Sequence, residues 1–149
     1  MKLVAFILLF LSLPAVFGQN TISDQFFSKS EICFELLHVP NRYRSEFGNF
    51  SYADEEVVHK YIHCVTTELD IWNDRSGFNI EKIYHQYRNR ANDEVMLPII
   101  SNCNRSSQNN NKELWCYRAF VCILNTDVGQ WFKEDVQRKR QANISNGHH

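Results

Sequence analysis

The chain has 149 residues, with 16 Lys and Arg set against 17 Asp and Glu. That balance leaves no broad basic field for nucleic acid or for an anionic membrane surface, and the one basic cluster, Arg138–Gln141, reads as a solvated helix end. Eleven Phe, 6 Tyr and 3 Trp against 5 Gly point to a packed helical domain with a greasy interior.

Residues 1–18 read as a secretory signal peptide. Lys2 precedes an apolar run from Leu3 to Leu13, Pro14 breaks it, and Val16 and Gly18 stand before a cut at Gln19. The run is too short for a membrane span, which needs about 20 residues. The expected mature product is one secreted, extracellular domain over residues 19–149. Ser23 is placed to cap a helix through "DQFFSKSEICFELLHV", stopped by Pro40. A turn of helix follows in "RYRSEF". Ser51 is the expected cap of the next helix, in which Val58, Ile62, Val65, Leu69 and Trp72 recur at four and three residues, an amphipathic stripe. "NDRSGF" turns the chain at Gly77. Ile80, Ile83 and Tyr87 share one side of "NIEKIYHQY". Pro98 predicts a short or kinked helix in "NDEVMLPIISNC". After the polar loop "SSQNNNKE", Leu114, Tyr117, Val121 and Leu124 form a stripe in "KELWCYRAFVCIL". A last amphipathic helix covers "DVGQWFKEDVQRKR", with a flexible tail after about residue 140. The fold class is therefore all-α, with six to seven short helices and almost no strand signal. Such stripes ordinarily fill a core; whether they also line a hollow is left open.

Five cysteines, Cys33, Cys64, Cys103, Cys116 and Cys122, sit in a chain read as secreted, so disulfides are expected. Two bridges leave five choices of odd cysteine and three pairings of the rest. Cys116 and Cys122 lie about 600° apart around a helix, so they face different sides. No cysteine pair has zinc-ligand spacing. His59 and His63 are one turn apart, but no third ligand is evident, so no metal and no cofactor are expected. Histidine is the side chain that changes charge near physiological pH, which makes His38, His59, His63 and His85 candidates for pH-dependent release of a guest. Sequons at Asn49, Asn104 and Asn143 are candidate glycan sites, each of which must be exposed to be used.

Around "KYIHCV" and "ELWCYRAFVC" the chain resembles the insect odorant-binding proteins. That family has six cysteines on a six-helix frame. Its second and third cysteines are separated by three residues, and its fifth and sixth by eight. Cys64 fits the third, and the residue four back is Lys60; Cys122 fits the sixth, and the residue nine back is Glu113. The two absent cysteines are ones that bond each other in the family, which is the pattern of its minus-C subgroup. "CVTTELDIWNDRSGFNIEKI" and "WCYRAFVCIL" are also similar to that subgroup. The resemblance covers nearly the whole mature chain. It implies bridges Cys33–Cys64 and Cys103–Cys122, with Cys116 left as a buried thiol; a reactive thiol or an intermolecular bridge are the other readings of Cys116. Lys60 and Glu113 would then face each other as an ion pair worth about 0–1 kcal/mol, where a disulfide contributes roughly 4 kcal/mol.

The function implied is reversible carriage of a small hydrophobic ligand such as an odorant, pheromone or lipid, with no bond broken. Stripe positions supply the expected lining: Val58, Ile62, Val65, Leu69, Ile83, Tyr87, Met96, Ile100, Tyr117, Val121 and Leu124. Tyr87 and Tyr117 can offer a phenol to the ligand. Trp131 or Phe132 is expected to close an opening, as the C-terminal segment often does in that family. A non-olfactory scavenger or a secreted signalling factor is the alternative on the same frame. A chemosensory receptor or a second copy of the chain would be the protein partner. An enzyme is not expected. "YIHCV" sets His63 beside Cys64, as in phospholipase A2-like enzymes, but the Gly-rich calcium loop is absent.

Overall fold

The computed structural model describes residues 21–147, so the expected signal peptide lies outside the described residues. Helix α1 (Ile22–Leu36) starts from Thr21. The Asp24 amide donates to the Thr21 hydroxyl at 3.1 Å, and the Thr21 amide donates to the Asp24 carboxylate at 3.1 Å. This reciprocal box fixes the start. The cap is thus Thr21 rather than Ser23, whose own third residue on would be Phe26, with nothing to return the bond. After α2 (Tyr43–Gly48) the chain stays extended past Ser51, and α3 (Glu56–Glu68) begins without a side-chain cap. The Tyr117 phenol holds the Tyr52 carbonyl at 2.8 Å, so a tertiary bond keeps this stretch out of the helix.

Helix α3 ends before Asp70, whose φ is 56°. Trp72 therefore leaves the helical stripe and enters a small antiparallel ribbon, β1 (Trp72–Asn73) on β2 (Gly77–Phe78), with Trp72 opposite Phe78. Gly77 turns with φ 84°, and a Cβ there would stand 2.6 Å from the Asn104 side-chain oxygen. That contact is required. Asn104 accepts from the Phe78 amide at 2.8 Å and donates to the Phe78 carbonyl at 3.0 Å. The Trp115 indole donates to the Asn104 carbonyl at 2.9 Å.

Asn79, Asn92 and Asn111 cap α4 (Ile80–Tyr87), α5 (Asp93–Ser106) and α6 (Lys112–Leu124), each side chain accepting an amide three residues on. Helix α5 runs through Pro98 for 14 residues. One lost bond is tolerated because α4 and α6 flank the helix. Helix α7 (Asp127–Asn146) is capped by Thr126 and passes the expected end at Arg140, since no breaker occurs before Gly147; residues 141–147 are exposed. Disulfides join Cys33 to Cys64 and Cys103 to Cys122, the pairing the resemblance implies, and Cys116 is free and buried. They tie α1 to α3 and α5 to α6. Helix α6 runs through the middle, against α3, α5, α7 and β2, so it is apolar on more than one face. Of the three sequons, Asn49 and Asn143 are exposed. Asn104 is buried, with its side-chain oxygen and nitrogen both bonded to the Phe78 backbone.

Candidate ligand-binding site

The helices enclose an apolar hollow with a volume of about 50 Å³. Helix α3 contributes a face at four-residue steps: Tyr61 with Ile62, Val65 with Thr66, then Leu69. Helix α6 presents Phe120, Ile123 and Leu124, and α4 presents Ile83 and Tyr87. Helix α1 closes one side with Ile22 and Phe26, and α7 another with Val128, Gly129 and Phe132. Tyr52, Ile71 and Phe78 come from the extended stretch and the ribbon. Gly129 is the only residue that fits its place, because a Cβ there would lie 2.3 Å from the Leu124 Cα.

Polar groups are few, and most are used. The Thr66 hydroxyl donates to the Ile62 carbonyl at 2.8 Å and lies 3.1 Å from the Cys116 sulfur. The Tyr87 hydroxyl is buried and has no partner. Burial pushes the phenols of Tyr52, Tyr61 and Tyr87 above their ordinary value, so they stay neutral near pH 7. A buried unpaired hydroxyl costs free energy that an incoming acceptor can relieve. Burial likewise pushes the Cys116 thiol up, which keeps it protonated and inert.

A single water needs about 10–15 Å³ of such space, and ligand pockets commonly run to about 300–1,000 Å³. The resting hollow therefore holds only a very small guest, and a ten-carbon compound requires the walls to part. Two side hollows adjoin it. One, of about 570 Å³, shares Ile22, Leu69 and Ile71 with it and is otherwise polar. The other, of about 150 Å³, shares Phe26, Tyr52 and Tyr61.

Of the expected lining, Ile62, Val65, Leu69, Ile83, Tyr87, Leu124 and Phe132 meet around the hollow. Val58, Met96 and Ile100 are fully buried but lie outside it. Met96 and Ile100 belong to α5, which packs on α4, α6 and β2 and gives the hollow no residue. Tyr117 spends its phenol on the Tyr52 carbonyl, with its ring 4.5 Å from that of His59. Val121 and Trp131 are half-buried elsewhere, Trp131 with its ring 5.9 Å from that of Tyr87. On α6 the expected stripe reaches the hollow only through Leu124, while Phe120 and Ile123 lie off it, because α6 is buried on several sides and the true wall is rotated from that stripe.

His59 and His63 do not act as a pair. His59 Nε2 lies 2.6 Å from Asp54 and His63 Nε2 lies 2.8 Å from Asp74, and no metal-ligating group of three occurs among the described residues. Lys60 bonds Glu56 on its own helix at 2.6 Å. Its ammonium is held above its ordinary pKa first by that bond, and only last by the charge of Glu113, so the expected cross-helix pair is replaced by a local one.

Residues 18–126 match the model of the PBP/GOBP family. This chain belongs to the PBP/GOBP family. The family comprises binding proteins and not enzymes. The chain is 24% identical over 114 residues to odorant-binding protein 22 of Aedes aegypti, covering 76% of this chain and 82% of that one. It is 27% identical over 101 residues to general odorant-binding protein 99a of Drosophila melanogaster, covering 66% and 71%. Its fold is similar to crystal structures of Anopheles gambiae odorant-binding protein 22a. One gives a TM-score of 0.56 at 18% identity, covering 78% of this chain and 94% of that one. Another, described as in the open status for ligand binding, gives 0.58 at 18% identity, covering 74% and 93%.

Proposed function

We propose that this chain is a secreted carrier that takes a small hydrophobic molecule into the hollow between α1, α3, α4, α6 and α7 and releases it unchanged. In this reading residues 1–18 are removed, residues 19–149 form one domain, and the chain joins the minus-C subgroup. The observation that carries it is a predominantly apolar wall in which the buried Tyr87 hydroxyl has no partner. Such a lining offers contact area and a single orienting bond. It offers no nucleophile and no acid–base pair. Each buried methylene contributes about 0.8 kcal/mol. A ten-carbon chain therefore gains roughly 8 kcal/mol gross, from which association and wall movement subtract several. The net gain of about 4–5 kcal/mol corresponds to a Kd on the order of 0.1–1 mM.

The test is displacement of bound N-phenyl-1-naphthylamine by 1-decanol, in wild type and in Val65→Phe. The larger side chain fills the hollow at an overpacking cost of about 1–3 kcal/mol. Probe binding should be saturable, competed by decanol, and lost in the folded variant. Binding that survives in Val65→Phe would place the guest elsewhere and refute this site.

A further inference from the structure

The aromatic side hollow between α1, α2 and the C-terminal half of α7 adds a charge that the main hollow lacks. Phe26, Tyr52 and Tyr61 line both spaces, so only these side chains stand between a chain too long for the main hollow and the side hollow. Phe27, Phe34 and Phe47 complete the walls, and two arginines stand at the rim. Arg44 is already satisfied, with both terminal nitrogens on Glu31 at 2.9 Å and a further contact to Glu35 at 3.4 Å. Arg140 is not. Its Nη1 donates to the Gly48 carbonyl at 3.0 Å, and among the described residues no carboxylate forms an ion pair with it. It is half-buried, while Lys139 and Gln141 beside it are exposed. The Gly48 carbonyl thus orients a guanidinium over an aromatic mouth, with most of its five donors unused.

We propose that Arg140 forms an anion subsite, so that the guest class includes amphiphiles with a carboxylate head at Arg140 and an alkyl tail in the hollow. A carboxylate matches the guanidinium fork with two parallel bonds. Glu31 and Glu35 both engage Arg44, so the cation of this mouth left without a carboxylate is Arg140, and its charge disfavours an amine head beside it. The polar mouth at the other side is lined by Glu68 and Asp70 against Lys82 and Arg88, and so has no excess of either sign. The proposal rests on the carrier reading and sharpens it.

Calorimetric titration of the mature chain with dodecanoate, 1-dodecanol and dodecylamine tests it. Wild type should bind dodecanoate on the order of tenfold tighter than dodecanol, with dodecylamine weaker than both. Arg140→Gln should abolish the preference and leave dodecanol affinity unchanged. Arg140→Lys should keep part of it, as a charge without the fork. Arg88→Gln should keep all of it, and added salt should erode only the dodecanoate affinity. Equal wild-type affinity for dodecanoate and dodecanol overturns the subsite, as does a preference that survives in folded Arg140→Gln. If that variant does not fold, a preference indifferent to salt and to Arg140→Lys overturns it instead. Failure of all three compounds to bind would count against the carrier reading itself.

Discussion

Tyr87→Phe separates binding from stability, because the two should move in opposite directions. In the empty protein the Tyr87 hydroxyl is buried and bonded to nothing. Leaving a hydroxyl in that state costs about 1–3 kcal/mol. Its removal changes no ring contact, so the variant should be more stable by about 1 kcal/mol. For a domain of this size that is a rise in Tm of roughly 3–5 °C. An oxygenated guest in the hollow loses a bond with a net worth of about 0.5–1.5 kcal/mol. Affinity for 1-decanol should therefore fall about two- to tenfold, and affinity for decane should not change. Scanning calorimetry of the empty protein and probe displacement by the two compounds give both numbers. A lower Tm in the variant would mean that the hydroxyl has a partner. Equal losses for decanol and decane would mean that it does not face the guest. Either result refutes the reasoning.

Asn104→Ala should cost about 2–4 kcal/mol in urea unfolding, since it strands the buried Phe78 amide and carbonyl that Asn104 now satisfies. Mass spectrometry of the secreted protein should show no glycan at Asn104. Asp24 is held at about 2, below its ordinary 3.8, by its bond to Lys139 and then by the Thr21 hydroxyl. A depressed carboxylate stabilises the fold above its ordinary pKa and loses that contribution as pH falls through the folded value. The stability gap between wild type and Lys139→Ala should thus be constant above about pH 5 and close between about pH 4 and 2. Cys116, buried and raised, should resist a disulfide-exchange reagent at pH 8 in native protein and react at once in denaturant.

The parts of the fold that were legible in the sequence are those set by local chemistry. Apolar spacing at three and four residues marks α4, α6 and α7, and Ile62, Val65 and Leu69 fall on the hollow because α3 is apolar on one face only. Where tertiary contacts decide, the pattern misleads. Trp72 continues the α3 stripe in sequence, yet the left-handed Asp70 sends it into the ribbon. Ser51 resembles a cap, yet Tyr117 draws the following residue out of helical conformation. Met96 and Ile100 have the spacing of a wall and serve as solid core, because which apolar stripe meets empty space depends on helix packing. Tyr52, Ile71 and Phe78 reach the hollow from segments with no helical period, so no pattern marks them.

A resting hollow of about 50 Å³ in a carrier demands walls that yield, and the covalent ties show which do not. One bridge holds α1 to α3 and the other α5 to α6, whereas α4 and α7 carry none. Helix α7 is fixed at its start, where Gly129 lies against the Leu124 backbone. Further along it is held by Arg90 on Glu134 at 2.7 Å and on Asp135 at 3.2 Å, and by Lys139 on Asp24. Exposed pairs of this kind contribute about 0–1 kcal/mol each, less than a ten-carbon guest gains on burial. Between α3 and α6 no bridge is formed, and Lys60 bonds Glu56 on its own helix. These two walls are therefore joined by packing and by the Thr66–Cys116 contact at 3.1 Å, with no covalent tie, so a guest that parts them has only non-covalent contacts to displace.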